Sequence, residues 1–231
     1  LIKSHNEEVR KQSVFNLSFK RGVFKEELKN RFLCLVEVGG EDTLCHIPSS
    51  CRLSNFVSMA GKTVLLSPVA ATDARTKYSV EALAVGHEFV LLNMSKANKV
   101  VIDNIHSRRF AFLGKRSSIK KECTIAGYKS DLYIEDTKTV VEIKSILSFR
   151  GEAEFPSVYS QRAVDQLMKI EDLLEKGFRA CYIFVSLNPK VKQLTLNDEL
   201  ITYRDAFHNC IEKGMVVKGV TIKLKDGEPL I

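Results

Sequence analysis

The sequence predicts a two-domain α+β protein in which a small N-terminal β-barrel precedes an α/β domain. From Phe24 to Leu92, short apolar runs alternate with turn residues, whereas helix-like and strand-like patterns alternate after Met94. The 231 residues are enough for two modest domains that each have a core. We therefore expect an N-terminal extension, a barrel and an α/β domain over residues 1–22, 23–94 and 95–231.

The strand patterns of the N-terminal part are short and closely spaced. Gly39 and Gly40 lie in a turn between the first two, and Pro48 ends the second. The predicted strands cover residues 32–38, 43–47, 62–68, 79–85 and 88–93. Four or five short strands in about 70 residues favour an OB-like barrel, although another small barrel or a sandwich has the same count.

Composition indicates a soluble protein with an anionic partner. Lys and Arg number 35 against 28 Asp and Glu, which gives a net charge of +7 and favours nucleic acid. No apolar run approaches the ~20 residues of a membrane span, and the first residues are too polar for a signal peptide. None of the six cysteines forms a C-x-x-C motif. We expect free, mostly buried thiols and a cytoplasmic location.

The α/β part opens with a helix and a basic segment. Ser95 can cap a helix whose apolar stripe runs from Ala97 to Ile105. The next residues carry no acid before Glu122 and are rich in basic side chains, namely Arg108, Arg109, Lys115, Arg116, Lys120 and Lys121. The segment is either a solvated face or a contact surface for phosphates.

Residues 131–144 alternate apolar and polar side chains on both sides of a short turn at 135–138, which predicts a β-hairpin. Its apolar face would be buried, and Asp131, Glu142 and Lys144 would share the exposed face. Two carboxylates and a lysine placed so can hold Mg²⁺ or Mn²⁺ beside an attacked phosphate. This arrangement resembles the PD-(D/E)xK, or restriction-endonuclease-like, nucleases. If these side chains are exposed, alanine at Asp131 or Glu142 should leave the packing almost unchanged. The same alternation is also typical of the solvent-exposed face of an ordinary hairpin that has no site.

Beyond the hairpin, helix and strand patterns alternate. A helix begins at Ser157 or Ser160 and ends near Gly177. A buried strand, a second helix and a last strand are predicted over residues 180–186, 199–213 and 215–224. This order is typical of an α/β layer.

Several separated stretches resemble the sugar fermentation stimulation protein (SfsA) family over roughly residues 24–224. They are Asn30-Arg31-Phe32-Leu33, His46-Ile47-Pro48 with Arg52-Leu53, Asn93 with Asn98, Glu122 and Asp131 with Glu142-Ile143-Lys144-Ser145, and Phe155-Pro156 with Gln161-Arg162. They are similar to the family's N-R-F-L, H-x-P-N-x-G-R, domain-junction, E…D…E-V-K and F-P-D-A…R-G motifs. The resemblance implies an OB-like domain followed by a PD-(D/E)xK domain. It also implies a DNA-binding protein with DNA/RNA nuclease activity.

The resemblance also implies roles for individual residues. Asp131, Glu142 and the Ile143 carbonyl would hold Mg²⁺ or Mn²⁺, and Lys144 would orient the attacking water or stabilise the transition state. Glu122 is a candidate further acid. Gln166, where relatives have His, could touch the metal-bound water or be a plain surface residue. The expected nucleic-acid contacts are Arg31, His46, Arg52, Arg108, Arg109, Lys115, Arg116, Lys129 and Arg162.

Two functions from different classes follow from these patterns. The first is a metal-dependent nuclease that acts on DNA, and on RNA as a second substrate, without strong sequence specificity. The alternative is a non-catalytic DNA-binding or regulatory protein that retains the nuclease fold, whereas no motif supports a small-ligand-binding protein. No Walker A loop or dinucleotide fingerprint is present, so no nucleotide cofactor is expected. A dimer is compatible with the sequence, which leaves the oligomeric state open.

Overall fold

The protein is described here by a computed structural model, which covers residues 19–48, 52–55, 57–71, 74–225 and 228–231. Its N-terminal domain is a closed barrel. Strand β3 pairs with β2 and also, in parallel, with β5, and this second pairing closes β1–β5 into a ring. The OB-like barrel predicted from the sequence is thereby confirmed. The strands are β1 (Lys20–Glu27), β2 (Leu33–Val38), β3 (Glu41–His46), β4 (Thr63–Pro68), β5 (Tyr78–Val85) and β6 (Glu88–Leu91).

Strand β1 was not predicted, and it begins inside the stretch assigned to the extension. Its sequence, KRGVFKEE, buries only Gly22 and Phe24 and exposes charged side chains, so its apolar signal is weak. Gly22 lies where a Cβ atom would be 2.5 Å from Val36 Cγ1 and 2.9 Å from the Glu37 carbonyl oxygen. A side chain there would clash with the neighbouring strand, so this strand needs glycine.

The two domains share part of their core. Helix α1 (Met94–Asn104) follows the barrel directly. Its side chains Ala97 and Val101 belong to one apolar cluster with Leu65 of the barrel and Ile143 of the second domain. Buried Glu81 of β5 accepts hydrogen bonds from Ser67 Oγ at 2.5 Å and pairs with Lys96 of α1 at 2.7 Å. The barrel and the α/β domain are therefore joined by both apolar and ionic contacts.

The second domain is a five-stranded sheet with helices on both faces. Its order is β13-β11-β9-β8-β7, in which β9, β11 and β13 are parallel and β7, β8 and β9 antiparallel. Its elements are β7 (Ile119–Ile125), β8 (Tyr128–Ile134), β9 (Thr139–Ile146), β10 (Glu152–Phe155), α2 (Gln161–Glu175), β11 (Arg179–Ser186), β12 (Gln193–Leu196), α3 (Ile201–Glu212), β13 (Val216–Thr221), β14 (Lys223–Lys225) and β15 (Glu228–Leu230). The α/β domain predicted from the sequence is confirmed.

Four strands of this domain were not predicted. Strand β7 begins inside the basic segment, where charged side chains hide the strand pattern. Strands β10 and β12 form a separate parallel pair of four residues each, and β15 has three residues. Such short elements give too few alternations for a periodic signal.

The hairpin of β8 and β9 forms as predicted, but its polar face is not exposed. Glu142 is 4% exposed, and the neighbouring Val140 packs in one cluster with Leu167 of α2 and Phe207 of α3. Because both helices cover this face of the sheet, the prediction of an exposed carboxylate at Glu142 is wrong. Among the helices within the described ranges, none is long and apolar enough to cross a membrane.

Candidate functional site

A cleft of about 670 Å³ opens between the start of α2 and strands β8 and β9. The sheet contributes Asp131, Glu142 and Lys144 to its wall, and α2 contributes Arg162 and Gln166. Ser160 caps α2, its side chain accepting a hydrogen bond from the Ala163 N–H at 3.3 Å. The residues of the predicted hairpin site and two residues of the predicted helix therefore meet in one place.

Asp131 enters the cleft where the ladder between β8 and β9 ends. The last backbone pair recorded there is Leu132 with Val141. Beyond it, the Ile143 N–H donates to Asp131 Oδ2 at 2.7 Å. The side chain of Asp131 thus replaces a backbone acceptor, which holds the carboxylate in a fixed position beside β9.

Glu142 is held by donors at both of its oxygens. The Tyr128 hydroxyl donates to Oε2, and the Lys144 ammonium donates to Oε1 at 2.6 Å. The same ammonium donates to Gln166 Oε1 at 2.9 Å. The four side chains therefore form one polar network inside the domain, in which both oxygens of the buried Glu142 have a donor.

The ionisable groups of the cleft influence one another. Burial raises the pKa of Asp131 to about 6, and the nearby charge of Glu142 adds to this effect. The Ile143 N–H and Lys144 act in the opposite direction. Burial and Glu142 also raise the pKa of Tyr128, so its hydroxyl stays a donor. Asp131 therefore lies in a partly dehydrated position beside a second carboxylate, and the Lys144 ammonium partly compensates the charge of the two.

Oxygen donors are the ligands that hard divalent cations prefer. Asp131 and Glu142 carry such donors, and they are the residues that could hold an Mg²⁺ or Mn²⁺ ion. Within the described part of the chain, no group of three or more His, Cys, Asp or Glu converges on a metal position. An ion here would complete its shell from a backbone carbonyl, water or a substrate phosphate, as Mg²⁺ commonly does.

Glu122 lies on β7, between the ladder pairs Lys121–Leu132 and Cys123–Ser130, opposite Asp131. It lines the cleft, but its side chain is 76% exposed and pairs with Lys129 at 3.4 Å. This position makes Glu122 a residue of the cleft mouth, where it could contact a ligand only from the solvent side.

The basic rim of the cleft comprises Lys129, Arg162 and Lys169. The first two were predicted as contacts for nucleic acid, whereas Lys169 was missed. Lys169 lies seven residues after Arg162 and three after Gln166 on α2, so helical spacing places all three on one side. That spacing was readable in the sequence once α2 had been assigned to the cleft wall.

Two predicted phosphate contacts have roles inside the chain. The Arg116 guanidinium donates to the carbonyls of Ile105 at 2.7 Å, Gly114 at 2.7 Å and Ser107 at 2.9 Å. Arg52 donates to two backbone carbonyls, those of Leu28 and Lys29, at 3.1 and 2.9 Å. Both arginines stabilise loops, which leaves the expected phosphate contacts at Arg52 and Arg116 without structural support.

The remaining basic residues of the predicted segment are spread over the surface. Lys115 pairs with Asp136 at 3.5 Å. Arg108 and Arg109 are exposed on a 3-10 helix over Arg108–Leu113. Arg109 lines a second cleft of about 440 Å³ beside β11 and β13. These residues do not line the cleft of Asp131 and Glu142.

An exposed cluster on the barrel contains Arg31, Phe32 and His46. The rings of Phe32 and His46 stack with centroids 6.5 Å apart, and the Arg31 guanidinium lies 4.8 Å from the Phe32 centroid. Phe32 is 40% exposed. His46 Nδ1 also lies 3.5 Å from Ser79 Oγ. The cluster presents a ring and a cation at the barrel surface.

Comparison with known proteins agrees with this architecture. Residues 28–92 match the model of the SfsA N-terminal OB domain, and residues 95–228 match that of the sugar fermentation stimulation protein RE domain. A sugar fermentation stimulation protein homolog of Caldanaerobacter subterraneus subsp. tengcongensis is 28% identical over 182 residues, covering 78% of this chain and 79% of the relative. The homolog of Clostridium acetobutylicum is 25% identical over 175 residues, covering 74% and 76%.

A solved structure shows the same fold. The structure of Pyrococcus furiosus SfsA in complex with Ca²⁺ matches with a TM-score of 0.76 and 19% identity, and the match covers 92% of each chain. The two family models together span both domains described above. The chain therefore belongs to the sugar fermentation stimulation protein (SfsA) family.

Proposed function

We propose that this protein is a divalent-metal-dependent nuclease that hydrolyses phosphodiester bonds in DNA, with RNA as a second substrate. The observation that carries the proposal is the convergence of Asp131, Glu142 and Lys144 in one cleft with a basic rim. Two carboxylates can hold a metal ion beside a phosphate, and a lysine there can stabilise the charge that develops on it.

Asp131 and Glu142 would hold Mg²⁺ or Mn²⁺, with the Ile143 carbonyl as a further oxygen ligand. Asp131 would use the oxygen that the Ile143 N–H does not engage, and Glu142 would use Oε1. When bound, such an ion offsets charge on the attacked phosphate and lowers the pKa of a coordinated water. The Ca²⁺ complex of Pyrococcus furiosus SfsA supports a divalent ion in a protein of this fold.

Lys144 would supply the positive charge nearest the scissile phosphate. Its ammonium is bonded to Glu142 and to Gln166, and its side chain is 20% exposed toward the cleft. A cation that faces the developing charge stabilises the transition state. Gln166 would act by holding this ammonium, a role that differs from the water contact predicted from the sequence.

The rim residues Lys129, Arg162 and Lys169 would hold the strand at its phosphates. Lysine and arginine contacts to phosphate position a nucleic acid but do not read its sequence. We therefore propose binding without strong sequence preference and with a steep dependence on salt.

The barrel would add a second contact through Arg31, Phe32 and His46. Exposed rings on OB-folds stack on unpaired bases, and an arginine nearby contributes further attraction. This cluster supports single-stranded nucleic acid as the ligand of the barrel.

The alternative function is a non-catalytic nucleic-acid-binding protein. It is favoured by the contact between Lys144 and Glu142, which occupies one oxygen of a proposed metal ligand. A cleavage assay on single-stranded and double-stranded DNA and RNA, with Mg²⁺, Mn²⁺ or EDTA, separates the two functions. We expect metal-dependent cleavage that Asp131→Asn abolishes. The control Asp165→Asn, at an acid of the same cleft outside the proposed ion site, should leave cleavage intact. Cleavage by no combination, together with unchanged binding by Asp131→Asn, would establish the binding function instead.

A further inference from the structure

Tyr128 enters the site from a tight turn that joins β7 and β8. The turn residues Ala126 and Gly127 have φ of 46° and 84°, and the flanking residues Ile125 and Tyr128 pair in the ladder. Two positive φ values are typical of a type I′ turn, which fixes the register of a hairpin. Tyr128 is thereby placed at the first position of β8, directly beside the cleft.

The ring of Tyr128 is 1% exposed and packs in the same cluster as Val164 and Leu167 of α2. Its hydroxyl donates to Glu142 Oε2. The other carboxylate oxygen, Oε1, accepts from Lys144. The two oxygens of Glu142 are therefore held by different donors, one from the core and one from the cleft.

This asymmetry decides which oxygen a ligand can reach. The oxygen held by Tyr128 is enclosed by a side chain that is buried, whereas the partner of the other oxygen is a flexible, partly exposed lysine. A flexible ammonium can leave an oxygen that a cation approaches, but a packed ring cannot.

We propose that Tyr128 is a positioning residue that turns Glu142 Oε2 into the core, so that Glu142 offers a divalent ion a single oxygen, Oε1. The proposal rests on the proposed function, because it assigns a role to Tyr128 at the same ion site. Its physical basis is that partners behind a metal ligand orient the ligand and tune its affinity for the ion.

The test removes one oxygen atom. Tyr128→Phe keeps the packed ring and deletes the donor to Glu142. We expect the dissociation constant for Mn²⁺, measured on the full chain by titration calorimetry, to rise by about 10- to 100-fold, the usual loss for such a partner. Tyr182→Phe is the matched control, because Tyr182 is also 1% exposed and its hydroxyl lies 3.1 Å from that of Tyr203 and not at Glu142. We expect the control to bind Mn²⁺ as the parent does.

A second background shows whether Tyr128 acts through Glu142. In Glu142→Gln protein, the additional change Tyr128→Phe should cause no further loss of Mn²⁺ affinity, since the oriented carboxylate is already absent. If Tyr128→Phe alone failed to fold while the double variant folded, this result would likewise show that the hydroxyl acts through its hydrogen bond to Glu142. Equal losses in Tyr128→Phe and Tyr182→Phe, or additive losses in the double variant, would overturn the proposal.

The outcome is separable from that of the nuclease proposal. If the parent binds Mn²⁺ but cuts nothing, and Tyr128→Phe lowers the affinity for Mn²⁺, the nuclease proposal is refuted and the positioning role is upheld. If the parent cleaves with Mn²⁺ and Tyr128→Phe leaves the affinity for Mn²⁺ unchanged, the nuclease proposal is upheld and the positioning role is refuted. A parent that binds no Mn²⁺ would refute the positioning role directly.

Discussion

Replacing Asp131 by Asn should stabilise the metal-free protein at neutral pH. The pKa of Asp131 rises from 3.8 to about 6 in the folded protein because of burial and the charge of Glu142. A group whose pKa is raised on folding stabilises the protein fully below its unfolded pKa, and this contribution is lost as pH rises through the folded pKa. The ionised form at pH 7.5 is therefore unfavourable in the absence of a cation.

The size of the effect follows from the pKa. A rise from 3.8 to about 6 corresponds to about 3 kcal/mol. The carboxylate keeps partial access to water, so we reduce this to about 1–2 kcal/mol. Asn has the same shape, and its carbonyl oxygen can still accept from the Ile143 N–H. The variant should exceed the parent by this amount at pH 7.5 and match it near pH 4.

Urea unfolding in EDTA at several pH values measures this difference. Asp136→Asn is the control of opposite sign, because hydrogen bonds from Ser117 and Ser118 lower the pKa of Asp136 to about 2. That substitution should destabilise the protein at neutral pH and lose its effect as pH falls toward the folded pKa. Adding Mn²⁺ should raise the stability of the parent but not that of Asp131→Asn. A parent more stable than Asp131→Asn at pH 7.5 in EDTA would refute the reasoning.

Three further predictions concern stability, binding and thiols. Glu142→Ala should lower the free energy of unfolding by about 2–4 kcal/mol in urea melts, since it leaves the buried Tyr128 hydroxyl without its acceptor and Lys144 with Gln166 as its remaining partner. Unchanged stability would mean that the network contributes nothing. Charge reversal of Arg162 and Lys169 together should reduce the slope of log affinity for DNA against log salt concentration by the equivalent of about two phosphate contacts. An unchanged slope would show that these rim residues do not contact the phosphates. All six cysteines should react in a thiol titration of denatured, unreduced protein, because the five described ones are free. Two missing thiols would argue against the cytoplasmic location that the sequence predicts.

The effect expected at Glu142 reverses the expectation drawn from the sequence. Alternation along 131–144 indicated which side chains share a face, and Asp131, Glu142 and Lys144 do line one cleft. The sequence did not indicate what covers that face. Helices α2 and α3 begin 19 or more residues after Glu142, and their apolar stripes could have packed on either side of the sheet. Burial of Glu142, and with it the cost of removing the carboxylate, follows from that packing.

The sequence by itself determined the two-domain order, most strands, the three helices and the two carboxylates with their lysine. Each of these depends on spacing within a few residues, because backbone geometry repeats over two residues in a strand and 3.6 in a helix. Tertiary structure alone decided that Gln166 holds Lys144, that Arg116 binds backbone carbonyls and that Tyr128 reaches Glu142. These contacts join residues 11, 14 and 22 positions apart whose side chains have several possible partners. Which partner each one meets is settled when the sheet and its helices pack together, since only then are the distances between their side chains defined.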